Sequence, residues 1–329
     1  MNRRDWLKGA ALAAGAAGVG TAHAQGDSAE AGPDLTGRTI LITGCSSGFG
    51  RLGAEHFARL GAQVFASMRD VPRPEAEALR SLAEAEGLPI ELVEIDVRAD
   101  ASVAAGVDQV LSRTGGQLDL LVNNAGIAIS GPVELQDMQA VRDIFETNVF
   151  GCHRMAHAVL PAMRKARTGH IVNVSSQLGR VIVPGIGAYS GTKFALEAMS
   201  EQMAYELAPR GVDVTIIQPG GYPTEIWENG NRYTNALKDR IEAARLEAYP
   251  DFADRMGTSS SNLQTDPMDV PRAIAEVTAM PAGQRPLRRA VHPTTIPQTG
   301  INEASAKTQV AMLGGSPFGP MVKAVHNKG

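Results

Sequence analysis

The stretch Thr39-Ile40-Leu41-Ile42-Thr43-Gly44-Cys45-Ser46-Ser47-Gly48-Phe49-Gly50 runs from a short apolar segment into three glycines, and a helical pattern follows at once. An apolar run of this length bounded by glycine reads as a buried strand. Glycine lets the backbone turn sharply and come close to a bulky anion, and the N–H groups and dipole of the next helix favour negative charge there. The stretch therefore reads as strand, phosphate loop and helix. Its spacing is G-x-x-x-G-x-G, a variant of the dinucleotide fingerprint rather than a direct match, and a purely steric turn is the alternative.

Working outward, apolar runs of strand length alternate with longer helical patterns. The strands are expected at Thr39–Thr43, Gln63–Ser67, Ile90–Ile95, Leu118–Val122, His170–Val174, Val212–Ile217 and Leu287–Val291. Helices are expected over roughly 50–60, 74–86, 100–113, 137–166 and 189–208, with Gly61, Gly87, Gly115 and Gly211 as stops. This alternation predicts an α/β fold, a doubly wound parallel sheet of about seven strands with helices on both faces. No internal repeat or strong boundary divides the chain, so residues 36–329 are read as one domain. Residues 222–265 break the alternation and are expected to form an irregular substrate lid. Residues 293–329 form a C-terminal extension of open role.

The 329 residues carry 31 Lys+Arg against 35 Asp+Glu, a net charge of −4, with 43% hydrophobic and 20% charged residues. That balance excludes a disordered chain and offers no bulk positive field for nucleic acid or anionic lipid. A small-molecule partner fits better. Cys45 and Cys152 cannot build a disulfide framework or a zinc cluster and are expected as free thiols. At the start, Asn2-Arg3-Arg4-Asp5-Trp6-Leu7-Lys8 precedes a Gly/Ala-rich run and Thr21-Ala22-His23-Ala24. This order reads as a twin-arginine type signal peptide over residues 1–24, removed at an A-x-A site, followed by a flexible linker over 25–35. The apolar run is too short for a membrane anchor. The expectation is recognition by the export machinery and a periplasmic location, or a cytoplasmic one if the signal is not used. Loss of Arg3, Arg4, Lys8 and Asp5 would take the net charge from −4 to −6.

Ligands of open sheets bind at the carboxyl ends of strands, and the polar residues there are the candidates. The loop supplies Gly44, Ser46, Ser47, Gly48, Phe49 and Gly50. The second strand ends at Ser67-Met68-Arg69, where an NAD enzyme places a carboxylate; Arg69 instead suits a 2′-phosphate, which favours NADP(H) over NAD(H). A solvated arginine is the bland alternative. Asp96-Val97 and Asn123-Asn124-Ala125-Gly126 follow the third and fourth strands and are expected to touch adenine or ribose. Tyr189 and Lys193, four apart, share a helix face with Cβ atoms about 6 Å apart. A cation there stabilises a phenolate, so Tyr189 could pass a proton to or from an alcohol oxygen. Ser175-Ser176 follow the fifth strand as hydroxyl donors or as turn caps. Asn148 interrupts an apolar helical pattern and is expected to need a partner such as a structural water.

With these residues in this order, and with Pro219-Gly220 after the sixth strand, the sequence resembles the classical short-chain dehydrogenase/reductase family over about residues 36–226. The resemblance implies a Rossmann-type domain and an oxidoreductase acting on CH–OH groups. It implies that Ser176 rather than Ser175 is catalytic, standing thirteen positions before the tyrosine. Tyr189 would be the acid/base, Lys193 would bind the nicotinamide ribose, and Asn148 would hold a proton-relay water. Arg69 falls where NADP-preferring members carry a basic residue, and Gln218, Pro219, Gly220 and Thr224 would line the nicotinamide side. Twin-arginine export carries folded proteins, many of them loaded with a cofactor, whereas most relatives act where NADP is regenerated.

Ile127, Leu178, Val183, Ile186, Tyr222 and Trp227 could wall an apolar pocket suited to a lipophilic alcohol, ketone or aldehyde, or serve as core or subunit contact. Long helices of such folds commonly pair, so a homo-oligomer, dimer or tetramer, is expected. His153 and His157 lack the glutamate of a zinc hydrolase motif, so no metal is expected. A dinucleotide-binding sensor or interaction protein without turnover is the competing reading, and the intact Ser/Tyr/Lys set argues against it.

Overall fold

The computed structural model describes residues 32–260 and 263–327. The expected signal peptide, and the linker up to residue 31, lie outside the described residues. Among the described residues, seven strands form a single parallel sheet: β1 (Thr39–Ile42), β2 (Gln63–Met68), β3 (Ile90–Glu94), β4 (Leu120–Asn123), β5 (Gly169–Val174), β6 (Val212–Pro219) and β7 (Arg288–Val291). Their order is β3-β2-β1-β4-β5-β6-β7. The bounds fall within two residues of those expected, because a strand covered on both faces is a continuous apolar run cut off by turn residues.

Helices link the strands: α1 (Gly48–Arg59), α2 (Pro74–Glu86), α3 (Asp100–Arg113), α4 (Met138–Phe145), α5 (Gly151–Ala166) and α6 (Ala188–Leu207). Neighbouring strand residues point to opposite faces, and both faces are buried. Ile40 and Ile42 of β1 pack with Phe57 of α1 and Leu79 of α2, while Leu41 packs with Val107 of α3 and Met155 of α5. The chain reverses direction across the sheet between β1 and β4, which opens a crevice at the carboxyl edge. Register then fixes what reaches that edge. Ile42 stands opposite Ala66 and Val122, Asn123 opposite Asn173, and Val174 opposite Ile217. The glycine loop, Asn124–Gly126, Ser175–Ser176 and Pro219–Gly220 therefore emerge side by side.

Two segments differ from the sequence reading, and a third, left open there, takes a definite form. The single helix expected over 137–166 is divided by a π-helical turn, Glu146–Phe150, with Asn148 at its middle. The lid expected to be irregular is half helical: α7 (Ile226–Lys238), α8 (Ala243–Glu247) and α9 (Pro250–Ala253). Leu237 and Met256 of this region are buried with Ile129, Leu135 and Ile144 in a core of their own. After α10 (Asp269–Ala279) and β7, the C-terminal extension forms α11 (Gln298–Leu313) and α12 (Gly319–His326). Among the described residues no helix is long and apolar enough to cross a membrane.

Candidate active site

The phosphate loop takes its shape from its glycines. Gly44 and Gly48 have φ of +73° and +53°, which side chains rarely adopt. Gly50 has an ordinary φ but no room: a Cβ there would meet the Gly44 carbonyl oxygen at 2.2 Å and Asn124 Nδ2 at 2.5 Å. Thr43 and Asn124 brace the loop from below. Thr43 Oγ1 accepts from the Asn124 and Ala125 N–H groups at 3.0 Å each, and Asn124 Nδ2 donates to the Thr43 carbonyl at 2.9 Å. Ser47 is the N-cap of α1 but its side chain makes no capping bond, so it does not occupy the first-turn N–H groups.

Above this loop lies a cleft of about 1040 Å³. Of the expected cofactor residues, Gly44, Ser46, Ser47, Gly48, Phe49, Arg69, Asp96, Val97, Ala125, Gly126, Pro219, Gly220 and Thr224 line it. Ser176, Tyr189 and Lys193 line its other end. A side-chain-free cradle at an uncapped helix start, continuous with a long groove, fits a nicotinamide dinucleotide.

Four expected residues stand behind the wall instead, among them Gln218, which ends fully buried on β6. Gly50 is a packing position, as its closeness to Gly44 requires. Asn123 ends β4 with its side chain turned inward, donating to Asn173 Oδ1 at 2.8 Å and to the Cys152 carbonyl at 3.4 Å. Alternation along the strand hands the cleft to its neighbour Asn124, the second member of the expected Asn123-Asn124-Ala125-Gly126 run. Asn148 is buried; its Oδ1 accepts from Ile127 N–H and its Nδ2 donates to the Ile127 carbonyl, both at 2.9 Å, and to Thr192 Oγ1 at 3.2 Å. Its side chain is thus a brace between the loop after β4 and the base of α6. The π turn is the backbone adjustment that carries Asn148 to this place.

The candidate reacting groups converge from α6 and the end of β5. Lys193 is buried; its Nζ donates to the Val174 carbonyl at 2.9 Å and lies 5.6 Å from the Tyr189 ring centroid. One helical turn spaces the two as expected. Ser176 caps the short turn Gln177–Gly179, its Oγ accepting from Leu178 N–H at 3.1 Å. Used as an acceptor there, the hydroxyl keeps its own proton to donate.

At the far end, the Arg69 guanidinium is about a third exposed, 3.7 Å from Asp70 Oδ2, and donates to the Tyr233 hydroxyl at 3.4 Å. Arg98, also in the lining, pairs with Asp96 at 2.6 Å, and its hydrogen bonds hold that carboxyl below the usual range against partial burial. Ile127, Leu178, Ile186, Tyr222 and Trp227 line the cleft, whereas Val183 is exposed and does not. The lid closes over this wall: Ser130 N–H donates to Thr234 Oγ1 of α7 at 3.0 Å.

Neither cysteine is poised for chemistry. Burial pushes the Cys45 thiol far up and that of Cys152 up to about 11. The folded protein is expected to show no fast-reacting thiol toward an aromatic disulfide reagent, and both after denaturation; one fast equivalent in the native state would refute this. His153 and His157 are exposed on α5, and the described residues hold no cluster of three metal-ligating groups.

The short chain dehydrogenase family model matches residues 38–234. Retinol dehydrogenase 8 of Homo sapiens is 36% identical over 260 residues, covering 77% of this chain and 80% of that protein. A 3-ketodihydrosphingosine reductase of Bacteroides thetaiotaomicron is 40% identical over 192 residues, covering 58% and 66%. Among solved structures, a short-chain dehydrogenase from Streptomyces avermitilis aligns with TM-score 0.65 at 31% identity, over 84% of this chain and 96% of that one. A Burkholderia phymatum short-chain dehydrogenase/reductase in complex with NAD aligns with TM-score 0.66 at 25% identity, over 86% and 97%. A metagenomic short-chain oxidoreductase in complex with NADP aligns with TM-score 0.62 at 25% identity, over 79% and 99%. The matched segment spans the glycine loop, the cleft's strand ends and the candidate residues: the chain belongs to the short-chain dehydrogenase family and is an NAD(P)-dependent oxidoreductase.

Proposed function

We propose that the protein interconverts a lipophilic alcohol and its ketone or aldehyde, using NADP(H) in preference to NAD(H). The observation that carries this is one continuous cleft with Arg69 at one end and Ser176, Tyr189 and Lys193 at the other, beside an apolar wall. The bound dinucleotide supplies or accepts the hydride. Ser176 donates a hydrogen bond to the substrate oxygen, Tyr189 Oη gives that oxygen a proton in reduction or takes it in oxidation, and the Lys193 ammonium stabilises the phenolate. Asn148 holds the floor under Tyr189 through Thr192, whose hydroxyl donates to the Tyr189 carbonyl at 2.7 Å.

The lipophilic substrate is supported by Ile127, Leu178, Ile186 and Trp227 in the lining, and by the names of two relatives, which act on retinol and 3-ketodihydrosphingosine, both long apolar molecules. Export by the twin-arginine route, with a chain starting at Gln25, belongs to the same proposal and is read from the order of residues 1–24. N-terminal sequencing of periplasmic protein checks it. An unprocessed cytoplasmic chain would refute it.

Screening purified protein with NADPH and NADH against ketones and aldehydes of increasing chain length tests the activity. Rates should rise with apolar length and favour NADPH. Charge-assisted bonds to a phosphate are worth about 1.5–3 kcal/mol, so Arg69→Asp should move the NADPH/NADH ratio of kcat/KM by about tenfold to a hundredfold toward NADH. An unchanged ratio removes Arg69 from the cofactor site.

A further inference from the structure

The C-terminal helix α11 lies outside the segment that the family model matches, yet it bonds to residues adjoining the cleft wall. Asn302 Oδ1 accepts from Arg180 Nε at 3.1 Å, and its Nδ2 donates to Gln218 Oε1 at 2.8 Å. Arg180 directly follows the turn Gln177–Gly179 that Ser176 caps. Gln218 directly precedes Pro219–Gly220 at the end of β6. One amide from α11 therefore joins the two strand ends that flank the reacting groups. Two further bonds give the junction a fixed geometry. Gln218 Nε2 donates to Glu197 Oε1 at 2.8 Å, one turn beyond Lys193 on α6, and Gln298 Nε2 donates to the Gln218 carbonyl at 3.2 Å. Gln218 and Gln298 have no exposed surface, so water cannot take over these bonds freely.

We propose that Asn302 is a positioning residue for the hydride-transfer reaction, clamping the Ser176 turn to the Pro219–Gly220 wall from the C-terminal extension. This rests on the reading of Ser176 as the group that meets the substrate oxygen. Both sides of an amide are needed, a donor toward Gln218 and an acceptor toward Arg180, and a leucine of similar size supplies neither.

The test compares Asn302→Leu with wild type and with Lys307→Ala, an exposed position on the same helix. Amide hydrogen exchange in segments 175–181 and 218–222 should run about tenfold faster in Asn302→Leu, with β1 unchanged, because only local opening is released. With NADPH and the best ketone, kcat should fall about tenfold, as small misplacements of reacting groups do, while the NADPH Kd stays within about twofold. The deuterium isotope effect from 4-deuterated NADPH should rise. Exchange, kcat and isotope effect equal to those of Lys307→Ala would overturn the proposal. Should Asn302→Leu not fold, Asn302→Asp keeps the shape and the acceptor but lacks the donor, so exchange should quicken at 218–222; no change there also overturns it. If wild type neither binds nor oxidises NADPH, the proposed function fails, and the exchange rates still decide the clamp.

Discussion

Tyr189→Phe is expected to lower turnover by about a hundredfold to ten-thousandfold, the usual contribution of a positioned acid or base, with NADPH binding within about twofold of wild type. The phenyl ring keeps its place over Lys193 and the backbone of α6 is untouched, so only the exchangeable proton is removed. Lys193 Nζ retains its bond to the Val174 carbonyl. Steady-state rates and fluorescence titration of NADPH on the same preparation separate the two quantities. Activity above about a tenth of wild type would assign the proton transfer to another group.

Gly50→Ala is expected to remove dinucleotide binding and to destabilise the fold by about 1–3 kcal/mol, the common cost of overpacking. The obstruction is backbone, not a side chain that can swing away: the added carbon would sit 2.2 Å from the Gly44 carbonyl oxygen and 2.8 Å from its carbon. Relief requires the glycine loop to move from Asn124, whose Nδ2 donates to the Thr43 carbonyl at 2.9 Å and to the Gly44 carbonyl at 3.3 Å. Chemical denaturation and NADPH titration measure the two losses. A variant that binds NADPH as wild type does would show that the loop yields without cost. Gly315→Ala is the control, since nothing lies within 4 Å of a Cβ there.

The strands and the glycine loop were legible because their signals are local: an apolar run, a glycine with positive φ, a helix that starts at once. The carboxyl-edge residues could be named for the same reason. Which of two adjacent asparagines faces the cleft was not legible, because Asn123 and Asn124 differ only in strand alternation and in the partner across the sheet, Asn173. Asn148 was visible as a polar break in an apolar pattern, but its partner Ile127 lies 21 residues away and no local signal marks that contact. The C-terminal helices were hardest. Asn302 bonds with Gln218 and Arg180, 84 and 122 residues distant, and no window along the chain contains both ends of such a bond.

The edge strand β7 brings Arg288 to Glu197 and Glu201 of α6, at 2.7 and 2.6 Å. Against a burial penalty that would raise it, His326, Arg288 and Tyr205 hold the Glu201 carboxyl well below the ordinary range. Without Arg288 the two acids would have Arg180, 3.5 Å from Glu197 and 3.9 Å from Glu201, as the one arginine beside them, so seating α6 would leave net negative charge in the interior. The seat of the helix that bears Tyr189 and Lys193 is thus completed by a cation from the edge strand, almost a hundred residues further along the chain.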